Sequence, residues 1–179
     1  MRIFLFLILV LFIFSCSEEK VKPAVDLTLT EERIPDYESW KTEIIFSSQG
    51  VLEAVLFADH LQKFEEDHTT FLDSVKVDFY DEDGNKTTVL TSNKARVDDI
   101  TKNMFATENV VVKSDSGVVL KTEELTWQNK IQKITSDQFV TITSPAETIQ
   151  GYGFESDQGL RNYKIFKITY SATVTDSIP

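Results

Sequence analysis

The 179-residue chain has room for one domain, or for one domain with an anchor and a linker, and its 41% apolar content suffices for a core. A formal net charge of −11 excludes a nucleic-acid partner, since phosphate-backbone binding rests on Lys and Arg, and argues against lying flat on an anionic bilayer. Glycine is scarce, at six, so several turns must use Asp, Asn and Ser instead.

Residues 1–15 open with Met1-Arg2 and then run apolar from Ile3 to Phe14 without a charge. The run is too short for a mature membrane span, which needs about 20 residues. One basic residue, an apolar stretch and the small Ser15 predict a secretory signal peptide. Ile13-Phe14-Ser15-Cys16 resembles the bacterial lipobox, with an apolar residue three before the cysteine and a small one just before it. That resemblance implies cleavage before Cys16 and a lipid anchor on its sulfur. The competing reading is an ordinary signal peptide with an incidental cysteine. Cys16 is the single cysteine, so the fold has no disulfide of its own. Residues 16–35 are charged and carry Pro23 and Pro35, the composition of a flexible tether, which leaves 36–179 as the folded domain.

Apolar alternation begins near Ile44-Ile45-Phe46, and Ser47-Ser48-Gln49-Gly50 reads as a turn. Val51–Phe64 carries Leu52, Ala54, Leu56 and Ala58 on one face, with apolar Val51, Val55 and Phe57 between them. Strand is the expected state, and helix is its rival because the run lacks Pro and Gly. Val75, Val77 and Phe79 alternate cleanly before the hairpin turn Asp83-Gly84-Asn85. Further turns are expected at 98–103, 114–117 and 128–130, with later strands over Phe139–Thr143 and Lys164–Tyr170. Strands are expected to recur every 8–12 residues.

The stretch from Leu90 to Thr143 is written twice, thirty residues apart. Leu90 falls on Leu120, Ala95 on Leu125, Val97 on Trp127, Met104 on Ile134, Val110 on Val140 and Val112 on Ile142. Residues two apart share a face of a strand, so each copy presents one apolar face and one wet face. A fixed period marks stacked units that bury a common face. The fold class is therefore all-β.

Signals for chemistry are weak. His60 and His68 each follow an Asp, but a metal pair would need both on one face at short separation; surface or packing roles are the expectation. No serine sits in a nucleophile elbow, and Asp98-Asp99 and Glu123-Glu124 sit in turns or face opposite ways on a strand. The chain is read as no enzyme, with no metal and no cofactor.

Several segments together resemble the LptC family of lipopolysaccharide export. They are Pro35-Asp36-Tyr37, Phe46 to Gly50, the alternation Val51 to Leu61 with its Ala58-Asp59-His60, and Val77 to Asp81. Ala95-Arg96-Val97, Asn109 to Val112, Leu120 to Trp127 and Gly151-Tyr152-Gly153-Phe154 follow in order, so the resemblance spans about residues 35–165. It implies an OstA-like β-jellyroll, two sheets facing each other like a taco around an apolar groove. It further implies lipopolysaccharide or a related glycolipid as cargo, inner-membrane ABC transporter permeases upstream, and a periplasmic bridge protein of the same fold downstream. Many members use an uncleaved N-terminal helix; here a lipobox implies a lipid anchor at the periplasmic face of the inner membrane, with the outer membrane as the other option. Roles in complex assembly carry over to Gly50 and Gly151, against the plainer reading of turn glycines.

The inward face expected to form a lipid groove is Leu52, Leu56, Met104, Ala106, Val110, Val112, Leu120, Leu125, Trp127, Ile134, Val140 and Ile142. Against a glycolipid conduit stands a surface-displayed β-sandwich lipoprotein that binds a protein or a glycan. Whether the apolar face encloses a slot or a filled core discriminates the two.

Overall fold

The computed structural model describes residues 33–173. The expected signal peptide, Cys16 and the tether up to residue 32 lie outside the described residues. The chain divides into units 1–34 and 35–179, and every strand described belongs to the second.

Nine strands follow one another: β1 (Tyr37–Ser48), β2 (Val51–Phe64), β3 (Thr69–Tyr80), β4 (Lys86–Asp98), β5 (Met104–Ser114), β6 (Val119–Gln128), β7 (Lys133–Thr143), β8 (Glu147–Asp157) and β9 (Tyr163–Thr173). Each pairs antiparallel with the next, in the order of the chain, to make one continuous sheet. The fold is all-β, a β-jellyroll of the taco type; the sole helical element among the described residues is the 3-10 turn Asn129–Ile131. Val51–Phe64 is a strand, the helical rival losing because β1 and β3 flank it and satisfy its backbone on both sides. Strand starts fall 14 to 18 residues apart rather than 8–12. The shorter spacing came from reading one strand as two, for a reason that lies in the middle of each strand.

Most strands lose their alternation at the midpoint. Pairing slips between Thr91 and Lys94, Thr107 and Val110, Thr122 and Thr126, and Ser136 and Phe139. Positive φ angles occur nearby or in line with these slips, at Lys41, Ser74, Glu108, Asn109 and Gly153. In β4 the buried residues run Leu90 and Ser92, then Ala95 and Val97; in β6 they run Leu120 and Thr122, then Leu125 and Trp127. An extra residue at a bulge bends its strand and restarts the alternation on the other parity. Neighbouring bulges lie side by side, so the bends add up to a crease across the sheet. Polar residues occupy it (Ser92-Asn93, Glu108-Asn109, Glu123-Glu124, Asp137-Gln138), and side chains take up backbone groups there: Ser92 Oγ donates to the Lys94 carbonyl, Ser136 Oγ to the Glu124 carbonyl, and the Gln138 N–H donates to Ser136 Oγ. The thirty-residue repeat is one hairpin: β4 maps onto β6 and β5 onto β7, creases included.

The sheet doubles back on itself. Trp127 on β6 has its ring 6.3 Å from Phe46 on β1 and 5.7 Å from Phe79 on β3. Strands five places apart in a flat sheet would stand roughly 24 Å apart. Between the facing halves lies one apolar cluster contributed by β2 through β8, including Leu56, Phe79, Leu90, Leu125, Ile134 and Phe154, all at 0–1% exposure. Ile44 and Phe46 of β1 and Tyr163 and Ile165 of β9 are only partly buried against it. β1 and β9 are the two ends of the strand order and are not paired to each other. The sheet therefore has two free edges, β1 and β9.

Candidate functional site

Alternation and crease together decide which side chains turn inward. Of the twelve residues expected on the inner face, eleven lie in the central cluster at 0–3% exposure: Leu56, Met104, Ala106, Val110, Val112, Leu120, Leu125, Trp127, Ile134, Val140 and Ile142. Leu52 does not join them; it is half-buried and lines a separate cleft with Tyr80, Glu82 and Gln158. It stands near the β1–β2 turn, where the sheet runs out of facing strands to cover it. Val111 and Thr141, the neighbours of opposite parity, are only half-buried.

The interior is closely packed along its middle and opens at one end. A cleft of about 680 Å³ lies there, lined by Ile44, Phe46 and Ser48 of β1, Val97 and Asp99 from β4 and its turn, and Lys102, Asn129, Lys130 and Gln132 from the next turns. Ile44, Phe46, Tyr163 and Ile165, which pack against the core from the two edge strands, were missed as site residues in the sequence. The Ile44-Ile45-Phe46 alternation was a usable signal for the first two; for Tyr163 and Ile165, one face of β9 had to be located first.

Beside the crease, on the outside, β1, β2 and β3 are clamped together by one histidine. His60 Nε2 lies 2.7 Å from Glu38 Oε1, its Nδ1 lies 3.1 Å from Asp73 Oδ2, and its ring stacks on Trp40 at 5.4 Å. Hydrogen bonds to Glu38 and then Asp73 push the imidazole pKa above its ordinary value, outweighing desolvation. The two carboxylates hold opposite ring nitrogens, so they do not converge on one metal ion. No group of three metal-ligating side chains occurs among the described residues, and His68 sits in the β2–β3 turn. Because the folded pKa is raised, the stabilisation is fully present below about pH 6.5 and fades as pH rises through the folded value. His60→Gln is therefore expected to lower the melting temperature at about pH 5.5 and to match the parent at about pH 9. A deficit that grows with pH would show that the imidazole is not charged in the clamp.

The two glycines expected to matter differ. Gln49 and Gly50 have φ of 51° and 85°, the pattern of a two-residue type I′ hairpin, and a Cβ on Gly50 would meet nothing within 4 Å. Its demand is conformational only. Gly151 is buried under β9: a Cβ there would stand 2.3 Å from the Lys167 carbonyl oxygen and 3.0 Å from Ile168 Cα.

A doubled-over antiparallel sheet with a continuous apolar interior and two free edges defines a β-jellyroll of the taco class. The family model for lipopolysaccharide-assembly, LptC-related proteins matches residues 3–167, and the chain belongs to that family. Its work accordingly lies in lipopolysaccharide transport, in a family of transport components associated with the periplasm and the inner membrane. No curated protein matches the chain. Among the described residues no helix is long and apolar enough to cross a membrane.

Proposed function

We propose that this chain receives glycolipid from inner-membrane ABC transporter permeases and passes it to a periplasmic bridge protein of the same fold, while its N-terminus is held to the membrane by lipid on Cys16. The observation that carries this reading is a continuous apolar interior in a sheet with two free edges. Two edge strands that are not paired to each other flank a continuous apolar interior, with Ile44, Phe46, Tyr163 and Ile165 half-buried along it. Acyl chains lie along the apolar interior, between the parts of the sheet that face each other across the crease. The same free edges offer backbone N–H and C=O groups to a neighbouring jellyroll, which is how strand addition joins sheets. Exposed Trp40 and Ile45 on β1 and Phe166, Ile168 and Tyr170 on β9 supply apolar contact at each edge. No bond is made or broken in the cargo; the energy for directional movement is spent by the transporter.

A second reading, a surface-displayed β-sandwich lipoprotein binding a protein or glycan, draws on the tight interior, where Val112, Leu120, Val140 and Ile142 are all at 0% exposure. One experiment separates the two. A photo-crosslinking side chain at Val110, Val112, Val140 or Ile142 is expected to capture glycolipid in cells, while the same probe at Val111 or Thr141 captures none. Positions thirty residues apart must behave alike. Capture at both parities, or at neither, favours the filled-core lipoprotein.

A further inference from the structure

The crease brings the two ends of the strands toward each other, so the sheet has a mouth on the side away from it, framed by the turns. The β5–β6 turn precedes Val119, the first residue of β6. The β8–β9 turn is in register with Gln128, the last, through Lys133 and Asp157. On a flat strand these two turns would stand roughly 30 Å apart. They meet instead: Arg161 Nη2 lies 3.5 Å from Asp115 Oδ2. Tyr163, the first residue of β9, likewise meets Glu147, which pairs with the last, Thr173. Burial first, and then that carboxylate, hold the Tyr163 phenol above its ordinary pKa.

Next to Arg161, Leu160 belongs to the central cluster at 1% exposure, whereas Ile100 and Ile131, in the β4–β5 and β6–β7 turns at the same end of the strands, are 71% and 55% exposed. Its φ of 54° is a left-handed backbone that a bulky side chain seldom adopts. Such strain persists where the surroundings fix it, and it gathers at switch segments. Here Asp157 fixes it: its carboxylate accepts from the Arg161 and Asn162 backbone N–H groups at 2.9 and 3.1 Å and from Asn162 Nδ2 at 2.7 Å, so the turn holds its shape as one piece. The tie across the mouth is lighter, an ion pair whose side chains are 62% and 44% exposed. Toward β1 the mouth is open. The cleft of about 680 Å³ and a second of about 720 Å³, lined by Leu52, Tyr80 and Gln158, share Ser48, Glu53 and Gln132, so open space runs from β1 to the β8–β9 turn.

A turn that is rigid within itself, lightly tied to the far side and carrying an apolar plug has the build of a latch. We propose that the β8–β9 turn closes the interior at its β9 end and swings outward when an acyl chain takes the place of Leu160. The proposal rests on the glycolipid reading above and adds to it a moving part with named residues.

Nitroxides on Ser116→Cys and Gln158→Cys, in the full-length chain carrying Cys16→Ala, report the width of the mouth across the latch. A second pair, Ser116→Cys with Lys130→Cys, reports it beside the latch. The chain is held in a bile-salt detergent, which has no alkyl chain, and titrated with lipid A and with the same sugar stripped of its acyl chains. Lipid A is expected to lengthen the distance across the latch and leave the one beside it unchanged; the stripped sugar should change neither. Arg161→Ala is expected to bind lipid A about two- to fivefold more tightly, because a closed latch lowers the binding-competent fraction and an exposed ion pair is worth that much. Asp115→Arg with Arg161→Asp should restore parental affinity. Leu160→Ala should act in the same direction, but it also leaves a cavity in the core, so the exposed Arg161 variant decides. Lipid A bound with the distance across the latch unchanged, both distances widened equally, or Arg161→Ala binding no more tightly than the parent overturns the latch and leaves the conduit standing. A parent that binds no lipid A overturns both.

Discussion

Replacing Gly151 with alanine is expected to strip β9 from the sheet. Two of the three atoms that the new Cβ meets, the Lys167 oxygen at 2.3 Å and Ile168 Cα at 3.0 Å, belong to the backbone of β9; the third, Ile165 Cγ2 at 2.7 Å, is on the same strand. A side chain can rotate out of the way, but a paired backbone cannot, so the strand itself must lift. Overpacking of this kind costs about 1–3 kcal/mol and more where the backbone is the obstacle. For a domain of this size about 3 kcal/mol lowers the melting temperature by roughly 10 °C. Hydrogen exchange over Tyr163–Thr173 is the direct measurement, with protection lost there and kept in β4–β7. Parent-like protection in β9 would refute the account. Lifting β9 also removes Tyr163 and Ile165 from the core, so an assembly defect in this variant would follow from a misplaced edge rather than from contact by the glycine itself.

Phe79→Ala is expected to be the most damaging single truncation across the fold. Phe79 is at 0% exposure and its ring meets Trp127 at 5.7 Å, joining β3 in one half of the doubled sheet to β6 in the other. Removing a buried phenylalanine costs about 3–5 kcal/mol, against a total stability of about 5–15 kcal/mol for a typical domain. Phe57→Ala is the control: that ring is 36% exposed, on the opposite face of its strand, beside the Lys76 ammonium at 5.2 Å. Its loss should cost about 1 kcal/mol or less. Urea unfolding curves for the two variants measure the difference. Equal costs would mean that the halves are not held together through this contact.

These two effects, one from a backbone approach and one from a ring, differ in how far the sequence foretold them. Phe79 belonged to the plain alternation Val75, Val77, Phe79, and its burial could be read from period alone. Gly151 could be singled out, and a late strand bend suspected, but the atom it avoids belongs to a strand sixteen residues later.

The inner face was legible because alternation is a local property. Eleven of its twelve expected members are buried together, and the one that is not, Leu52, lies at the end of a hairpin where local pattern says nothing about coverage. Strand length was misread because the bulges interrupt the period at mid-strand. A parity switch such as Ser92 to Ala95 looks like the end of one strand and the start of another when no partner strand is in view.

What the sequence determined by itself was the all-β class, the thirty-residue hairpin repeat, the inward parity within each half-strand and the family. Each of these follows from side-chain alternation or from residue order, which neighbouring residues impose without reference to the rest of the chain. Only the tertiary structure decided that the sheet is continuous and creased, that Trp127 meets Phe46 across it, and that Lys102 and Lys130 line one cleft. Those depend on where bulges line up between strands and on how far the sheet then turns, and both are set by contacts between residues far apart in the chain.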